Sequence, residues 1–337
     1  MLRSMSAWCR NGFMKDPDVT LLFLNAGRRV ELIRCFRDAL KRLSIQGRLL
    51  ASDIQNLAPA LYEADSRFLL PRSRDPEFIP QLIDLCHKEK VTLVIPLIDP
   101  DLPVLARNRA VLDANGIRVL VSEAQAIDIC RDKTRTCKFL KAHGFPAPAV
   151  FTLEQARTQD YPLFIKPRDG SSAIHTFKVH GPEELEFFAR YVPNPIIQEF
   201  MDGVEATVDV FLARPGEPLM AIPRRRLKVR SGEVSVGSVE RNPDLERLCL
   251  DVARALNLVG CVNVQVFVTT QGALVTEINP RFGGGAPLSI HAGAPLTDWT
   301  LQMALNRPLS PVPASLADGL TLMRFDDGFY VPKSDLL

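Results

Sequence analysis

The sequence predicts an α/β unit built on a parallel sheet, followed by α+β structure. Strand and helix signals alternate over the first third of the chain, which is typical of a parallel sheet with helices on its faces. Beyond a proline-rich hinge at Pro146 and Pro148, strands and single helices follow in a different pattern. The predicted units are a loose tail at 1–17, an α/β domain at 18–122, and a second domain at 123–337 with a small lid subdomain at about 149–211 and a larger subdomain at about 212–337.

The first unit opens with an apolar run at 19–25 that predicts a buried strand, which Gly27 ends. Apolar residues from Val30 to Leu43 then recur at helical spacing, and Gly47 stops that helix. The remaining elements predicted in this unit are strands at 47–53, 91–97 and 116–122 and a helix at about 76–88.

The second unit begins with a predicted helix from about Lys133 to Ala142. Apolar runs and turn residues then predict a small unit and a larger one. The predicted elements are strands at 161–167, 174–180, 195–200, 202–212 and 320–326, helices at 182–192, 243–257 and 295–306, and a hairpin at 262–280.

Composition excludes several classes of protein. The chain has 337 residues, 46% of them hydrophobic and 24% charged, and its net charge is +2. This balance gives no support for a nucleic-acid or membrane partner. The seven cysteines form no C-x-x-C pair, which favours reduced thiols in the cytoplasm. No apolar run is long enough for a signal peptide or a membrane span. A homodimer is compatible with the sequence.

The most informative stretch is the hairpin at 262–280. Glu277 and Asn279 lie two residues apart on its return strand and therefore share a face, and Gln265 on the partner strand can lie opposite them. Oxygen ligands without Cys or His suit Mg²⁺ held jointly with phosphates, and Arg281 follows in a position to cover a phosphate. The alternative is an ordinary hairpin with a polar face, which would not need the three glycines at 283–285.

Four segments in this order and spacing resemble the ATP-grasp superfamily, and in particular the carbamoyl-phosphate synthetase large-subunit type in a single copy. The segments are Lys133, Lys166 with its loop, Gln198 to Glu205, and Gln265 to Arg281. The resemblance covers about 19–327. It implies a Rossmann-like pre-ATP-grasp domain followed by a two-part ATP-grasp fold that binds ATP between its small lid and its larger subdomain.

The resemblance also implies roles for the residues that would bind ATP. Lys133 and Lys166 would contact phosphates, the latter the α- and β-phosphates, and the loop with Ser171 and Ser172 would form the flap over them. Gln198 would accept a hydrogen bond from adenine N6, although the family often has Glu there. The remaining predicted contacts are the main chain of Glu199 to Met201 at the adenine edge and the carboxylate of Glu205 at the ribose hydroxyls.

In the same resemblance Glu277 would bridge two Mg²⁺ ions (Mn²⁺ being an alternative), with Asn279 on one and Gln265 on the other. Many members have a carboxylate in place of Gln265. Backbone N–H groups near Gly283 could bind an oxyanion, although a tight turn is the alternative. The further residues expected to face the γ-phosphate or acceptor are Arg281 and, from the basic run at 224–230, Arg226 and Lys228.

The function implied is an ATP-dependent, ADP-forming ligase that activates a carboxylate and joins it to an amine, with an amino acid as one substrate. The alternatives are a bicarbonate-activating enzyme of the carbamoyl-phosphate type and a non-catalytic ATP-binding regulator. Asp99 and Asp101 could hold a substrate ammonium group or merely cap a helix. The NAGRR segment at 25–29 lacks the glycines of a dinucleotide fingerprint, so NAD is not expected.

Overall fold

The computed structural model describes residues 18–170, 174–230 and 232–336. They form one parallel sheet followed by two antiparallel sheets, which confirms the predicted fold class. The predicted tail at 1–17 lies outside the described residues.

The N-terminal sheet has four parallel strands, in the spatial order β3 (Ser66–Leu69), β2 (Gly47–Asp53), β1 (Val19–Leu24) and β4 (Leu93–Pro96). β1 is buried along its whole length because helices pack on both faces of the sheet. The predicted strand at 116–122 is wrong, because only Val119 pairs there, in a single bridge to Val94. The elements are β1 (Val19–Leu24), α1 (Val30–Arg42), β2 (Gly47–Asp53), α2 (Ala60–Glu63), β3 (Ser66–Leu69), α3 (Phe78–Glu89), β4 (Leu93–Pro96), a 3₁₀ turn (Asp99–Asp101), α4 (Leu102–Arg107) and α5 (Arg109–Ala114).

Two helices, α6 (Ala124–Arg131) and α7 (Lys133–Ala142), lead to a small antiparallel sheet. Its spatial order is β5 (Val150–Phe151), β8 (Pro195–Glu199), β6 (Leu163–Pro167) and β7 (Phe177–Val179). The strand predicted at 174–180 is limited to three residues. A separate apolar cluster lies within this unit. Its elements are β5 (Val150–Phe151), α8 (Leu153–Ala156), β6 (Leu163–Pro167), β7 (Phe177–Val179), α9 (Pro182–Tyr191) and β8 (Pro195–Glu199).

The large sheet has six antiparallel strands, in the spatial order β13 (Gly272–Asn279), β12 (Gly260–Thr269), β9 (Gly203–Arg214), β10 (Glu217–Arg230), β11 (Glu233–Val239) and β14 (Thr321–Met323). β9, the first strand of this sheet along the chain, begins at Gly203 and pairs with β10 and β12. We therefore propose that the lid subdomain ends near residue 200 rather than at 211. The elements are β9 (Gly203–Arg214), β10 (Glu217–Arg230), β11 (Glu233–Val239), α10 (Pro243–Ala255), β12 (Gly260–Thr269), β13 (Gly272–Asn279), α11 (Ala286–His291), α12 (Leu296–Ala304), β14 (Thr321–Met323) and a 3₁₀ turn (Lys333–Asp335).

The N-terminal unit and the large sheet share one apolar core. Phe36 of α1 packs edge to face on Phe23 at 5.1 Å and on Phe282 at 5.7 Å between ring centroids. The glycines at 283–285 follow Phe282 directly, so this packing fixes their loop against the N-terminal domain. Within the described ranges, no helix is long and apolar enough to cross a membrane.

Candidate active site

Two cavities meet at the hairpin of β12 and β13. The first, of about 490 Å³, lies between the small sheet and the large sheet. The second, of about 390 Å³, is enclosed by the large sheet, the glycine loop and the turn at Asp99. Arg226, Gly232, Gln265 and Glu277 line both cavities, so a group bound in one can reach a group bound in the other at this point.

The predicted metal ligands lie together on this hairpin. Gln265 pairs with Glu277 across the two strands, and the Asn279 Nδ2 atom donates to Glu277 Oε1 at 3.2 Å. One carboxylate and two amide oxygens are hard ligands that fit Mg²⁺, provided that water and phosphate complete its octahedron. Arg281 Nη2 donates to Asn279 Oδ1 at 3.3 Å, so this contact would have to lengthen before that oxygen could bind a metal.

Both predicted lysines line the first cavity. Lys133 begins α7, and its Nζ donates to the carbonyl of Gly170 at 2.6 Å and lies 3.8 Å from Glu277 Oε2. Lys166 stands near the end of β6 and is 8% exposed. Burial lowers the pKa of Lys166; the Glu277 carboxylate opposes this shift and Lys133 adds to it. Two cations beside one carboxylate form a site that an anion such as a polyphosphate would complete.

The start of α7 is held by a pair of residues that the sequence did not single out. Asp132 caps the helix by accepting from the backbone N–H groups of Thr134 and Arg135. Its carboxylate also receives Arg168 Nε at 2.6 Å and Nη2 at 2.5 Å. This bidentate pair ties the loop after β6 to the helix that carries Lys133. Ser171 and Ser172, predicted for the flap, lie outside the described residues.

Gln198 lies on the face of the small sheet that borders the first cavity. It pairs with Phe164 of β6, and Phe164 and Lys166 both line the cavity. The Gln198 side chain is fully buried, and its Nε2 donates to Cys137 Sγ at 3.4 Å. Its Oε1 has no hydrogen-bond partner in the described part of the chain. An unpaired buried carbonyl beneath a cavity is what an amino group of a base would satisfy.

Of the other residues predicted to contact the nucleotide, Met201 and Glu205 line the first cavity and Glu199 does not. The Glu199 carboxylate accepts from the backbone N–H of Ala149 at 2.7 Å, so its side chain holds the residue that directly precedes β5. Met201 lines the first cavity. Glu205 also lines it, and an ion pair joins its carboxylate to Arg226. Burial raises the pKa of Glu205, although Arg226 opposes the shift.

The basic run on β10 is split by irregular pairing. Arg226 lines both cavities, whereas Lys228 is exposed and lines neither. Register shifts between Arg226 and Lys228, and again at Val229, break the alternation that would have placed these side chains on one face. Arg230 is exposed and pairs with Asp326 at 2.5 Å. These contacts therefore support a role in the site for Arg226 and give no support for one at Lys228.

Arg281 lines the second cavity and pairs with Asp99, Nη2 to Oδ2 at 2.5 Å. Asp99 is therefore committed to Arg281 and is not free to hold a substrate ammonium group alone. Asp101 is 1% exposed and accepts from Asn25 Nδ2 at 2.7 Å. Burial raises the pKa of Asp101 to about 6. Asp101 lines neither cavity, whereas Asp99 lines the second cavity as the partner of Arg281.

The glycine loop leaves room for side chains that the sequence did not assign to the site. A Cβ on Gly284 would lie 2.1 Å from Arg29 Nη1, and a Cβ on Gly285 would lie 2.1 Å from Arg224 Nη1. Gly283 lies against Asn263, at 3.1 Å from a Cβ position to Cγ. The loop therefore admits two guanidinium groups to the second cavity. The sequence signals available for them were the NAGRR segment for Arg29, the basic run at 224–230 for Arg224, and the three glycines that both side chains meet.

Comparison with known proteins agrees with this architecture. Residues 21–120 match the family described as PylC-like, N-terminal domain, and residues 130–285 match the family described as ATP-grasp domain. The carbamoyl phosphate synthase large chain of Thermomicrobium roseum is 33% identical over 224 residues, which are 59% of this chain and 20% of that protein. The chain thus spans about a fifth of the length of this relative.

Two solved structures share the fold. The biotin carboxylase domain dimer of Hydrogenobacter thermophilus 2-oxoglutarate carboxylase, in complex with MgADP, ADP and bicarbonate, has a TM-score of 0.69 at 16% identity and covers 89% of this chain and 73% of its own. The L-amino acid ligase from Bacillus licheniformis has a TM-score of 0.65 at 21% identity, covering 86% and 75%. The chain thus contains a PylC-like N-terminal domain followed by an ATP-grasp domain, and it shares the fold of these two solved structures.

Proposed function

We propose that the protein is an ATP-dependent ligase that activates a carboxylate as an acyl phosphate, releases ADP, and joins the acid to an amine, with an amino acid as one substrate. The observation that carries this proposal is the position of Glu277 in the lining of both cavities. A nucleotide in the first cavity and an acid in the second would meet at that carboxylate.

The first cavity would hold ATP. Lys133 and Lys166 would bind its phosphates, since each is buried, cationic and adjacent to the other. Gln198 would accept from the amino group of the base through its unpaired Oε1. Glu205 would bind a ribose hydroxyl with the carboxylate edge that Arg226 leaves available. Glu277, Asn279 and Gln265 would hold Mg²⁺, which when bound would neutralise phosphate charge and orient the γ-phosphate.

The second cavity would hold the acid. A carboxylate oxygen would attack the γ-phosphorus, and the bond to the leaving ADP oxygen would break. A neutral amine would then attack the acyl carbon and expel phosphate, and the amine proton would pass to solvent. Arg226 and Arg281 line the cavity where negative charge would develop in both steps. The protein's contribution would be positioning and charge neutralisation by groups already in place.

Two similar proteins support the proposed substrate class. An L-amino acid ligase has the same fold, and a carbamoyl phosphate synthase large chain is the relative at 33% identity. The likeness to the carbamoyl phosphate synthase large chain supports bicarbonate as the alternative acid.

The test is release of ADP and phosphate by the purified chain with Mg²⁺ and ATP. Pools of amino acids, other small carboxylates and bicarbonate would be added singly and in pairs. We expect release that requires an acid and an amine together. Release driven by bicarbonate alone would favour the carbamoyl-type reaction. ATP binding without release from any pool would contradict the ligase and favour a regulatory nucleotide-binding protein.

A further inference from the structure

The NAGRR segment places an arginine in the second cavity. The segment turns directly after β1: Gly27 has φ +54°, and its N–H donates to Asp53 Oδ2 at 2.9 Å. The N–H of Arg29 donates back to the Ala26 carbonyl at 2.9 Å, which closes the turn. The Arg29 side chain is 18% exposed and lines the second cavity. This turn, which lacks a dinucleotide fingerprint, thus positions the Arg29 guanidinium in the lining of the second cavity.

Arg29 differs from the other arginines of that cavity in how its charge is balanced. Each of the others has an acid as its own partner: Arg224 has Asp209, Arg226 has Glu205 and Arg281 has Asp99.

Among the described residues, the acid that pairs with Arg29 is shared with two other arginines. Glu233 lies 3.2 Å from Arg29 Nη1, 3.4 Å from Arg324 Nη1 and 3.6 Å from Arg28 Nη2. One carboxylate cannot balance three guanidinium groups, so positive charge is left over at this wall of the cavity. Burial lowers the pKa of Arg29 to about 10, and Glu233 opposes that shift, so Arg29 stays protonated at neutral pH.

The absence of a side chain at Gly284 leaves space for the Arg29 guanidinium. A side chain at Gly284 would displace the Arg29 guanidinium from its position, because Nη1 lies 2.1 Å from the Cβ position. Arg324 Nη2 donates to the carbonyl of Gly284 and so helps to hold the loop at this residue. Arg29 Nη1 therefore lies directly against the glycine loop at the cavity wall.

The same cavity contains polar groups with unmet hydrogen bonds. Within the described residues, no partner exists for Arg281 Nε, Arg226 Nε or Thr207 Oγ1, and all three side chains line the cavity. Buried donors without acceptors cost free energy, which a ligand rich in acceptor oxygens would recover. Asp99 and Glu233 in the same lining would repel a doubly charged phosphate more than a singly charged carboxylate.

We propose that Arg29 binds a carboxylate of the substrate that does not react, so that the second cavity selects molecules carrying a carboxylate besides the reacting group. The planar guanidinium fork suits a carboxylate better than the point charge of a lysine would. This inference rests on the proposed function, which makes the second cavity the acid or amine site.

The test is calorimetric titration of the full chain saturated with Mg²⁺ and a non-hydrolysable ATP analogue. Two matched pairs of probes would be compared: succinate with succinamate, and L-alanine with L-alaninamide. We expect the carboxylate member of at least one pair to bind about tenfold or more tightly than its amide, as a charge-assisted hydrogen bond would give. Arg29→Met should abolish that preference, and Arg29→Lys should keep part of it.

Arg28→Met is the matched control, because Arg28 is a neighbouring partner of Glu233 with a side chain that is 64% exposed. It should keep the preference. The inference is overturned if the wild-type chain binds both members of each pair equally or binds neither, or if Arg29→Met keeps the preference. The titration with the ATP analogue separates the two proposals, since failure to bind the nucleotide counts against the proposed function itself.

Discussion

The guanidinium of Arg224 and the carboxylate of Asp209 form a buried bidentate ion pair, with Nε–Oδ2 at 2.8 Å and Nη2–Oδ1 at 2.9 Å. Asp209 is fully buried and Arg224 is 2% exposed. Asn263 Nδ2 and Ser289 Oγ donate to the same carboxylate at 2.8 and 2.7 Å. This network fixes Arg224 so that its Nη1 atom meets the glycine loop at Gly285.

Replacing Asp209 with Asn should destabilise the protein by about 3 kcal/mol, because it leaves the buried Arg224 without its counter-ion. Urea unfolding followed by circular dichroism measures the change. The double variant Asp209→Asn with Arg224→Met should recover part of the loss, since it removes the stranded charge. A single-variant loss below about 1 kcal/mol would show that the pair is not the buried, tightly bound pair described above.

Replacing Gly285 with Ala should lower ADP release by at least about tenfold and cost about 1–3 kcal/mol of stability, as overpacking does. The new Cβ would meet Arg224 Nη1, and Asp209 prevents that side chain from moving aside. Gly328→Ala is the control, since nothing lies within 4 Å of its Cβ position. Equal ADP release by the Gly285 and Gly328 variants would refute the proposed crowding at this loop.

ATP affinity should fall as the pH rises toward 10, starting below the ordinary lysine pKa of 10.5. Burial lowers the pKa of Lys166, so this cation loses its proton earlier than an exposed lysine would, and only the protonated form attracts phosphate. Lys166→Arg should keep its affinity over the same range. Dissociation constants measured from pH 7 to 10 decide the point, and parallel curves for the two proteins would exclude Lys166 as the cause.

Gln198→Leu should weaken ATP binding by about tenfold, the worth of one hydrogen bond. Inosine triphosphate provides the matched ligand, because it lacks the amino group that Gln198 Oε1 would accept from. The wild-type chain should prefer ATP over inosine triphosphate, and the variant should lose the preference. If the variant still discriminates between the two nucleotides, Gln198 does not read the base.

Local pattern was enough to predict the hairpin and its polar face. Alternating residues in 262–268 gave the strand, and the two-residue spacing of Glu277 and Asn279 put them on one side. The apolar run that predicted a strand at 161–167 was likewise local, and β6 occupies Leu163–Pro167. Such features depend on neighbours in sequence, so no tertiary information was needed for them.

The acids that orient the arginines could not be predicted, because they come from distant parts of the chain. Arg29 and Glu233 are 204 residues apart, and Arg281 and Asp99 are 182 apart. The irregular pairing of β10 also has no clear signal, since the alternation of Arg226, Lys228 and Arg230 with apolar residues reads as a regular strand. The residues that line the first cavity were therefore easier to predict from sequence than the arginines and acids that line the second.

The most direct test of the central claim compares the wild-type chain with Glu277→Gln, with any acid and amine pair that supports ADP release. The variant keeps the size and shape of the side chain but loses the carboxylate at the junction of the two cavities. We predict that ADP release falls by at least about 100-fold while the circular dichroism spectrum and unfolding midpoint stay close to wild type. Release at the wild-type rate would contradict the claim that the two cavities form one reaction site at Glu277.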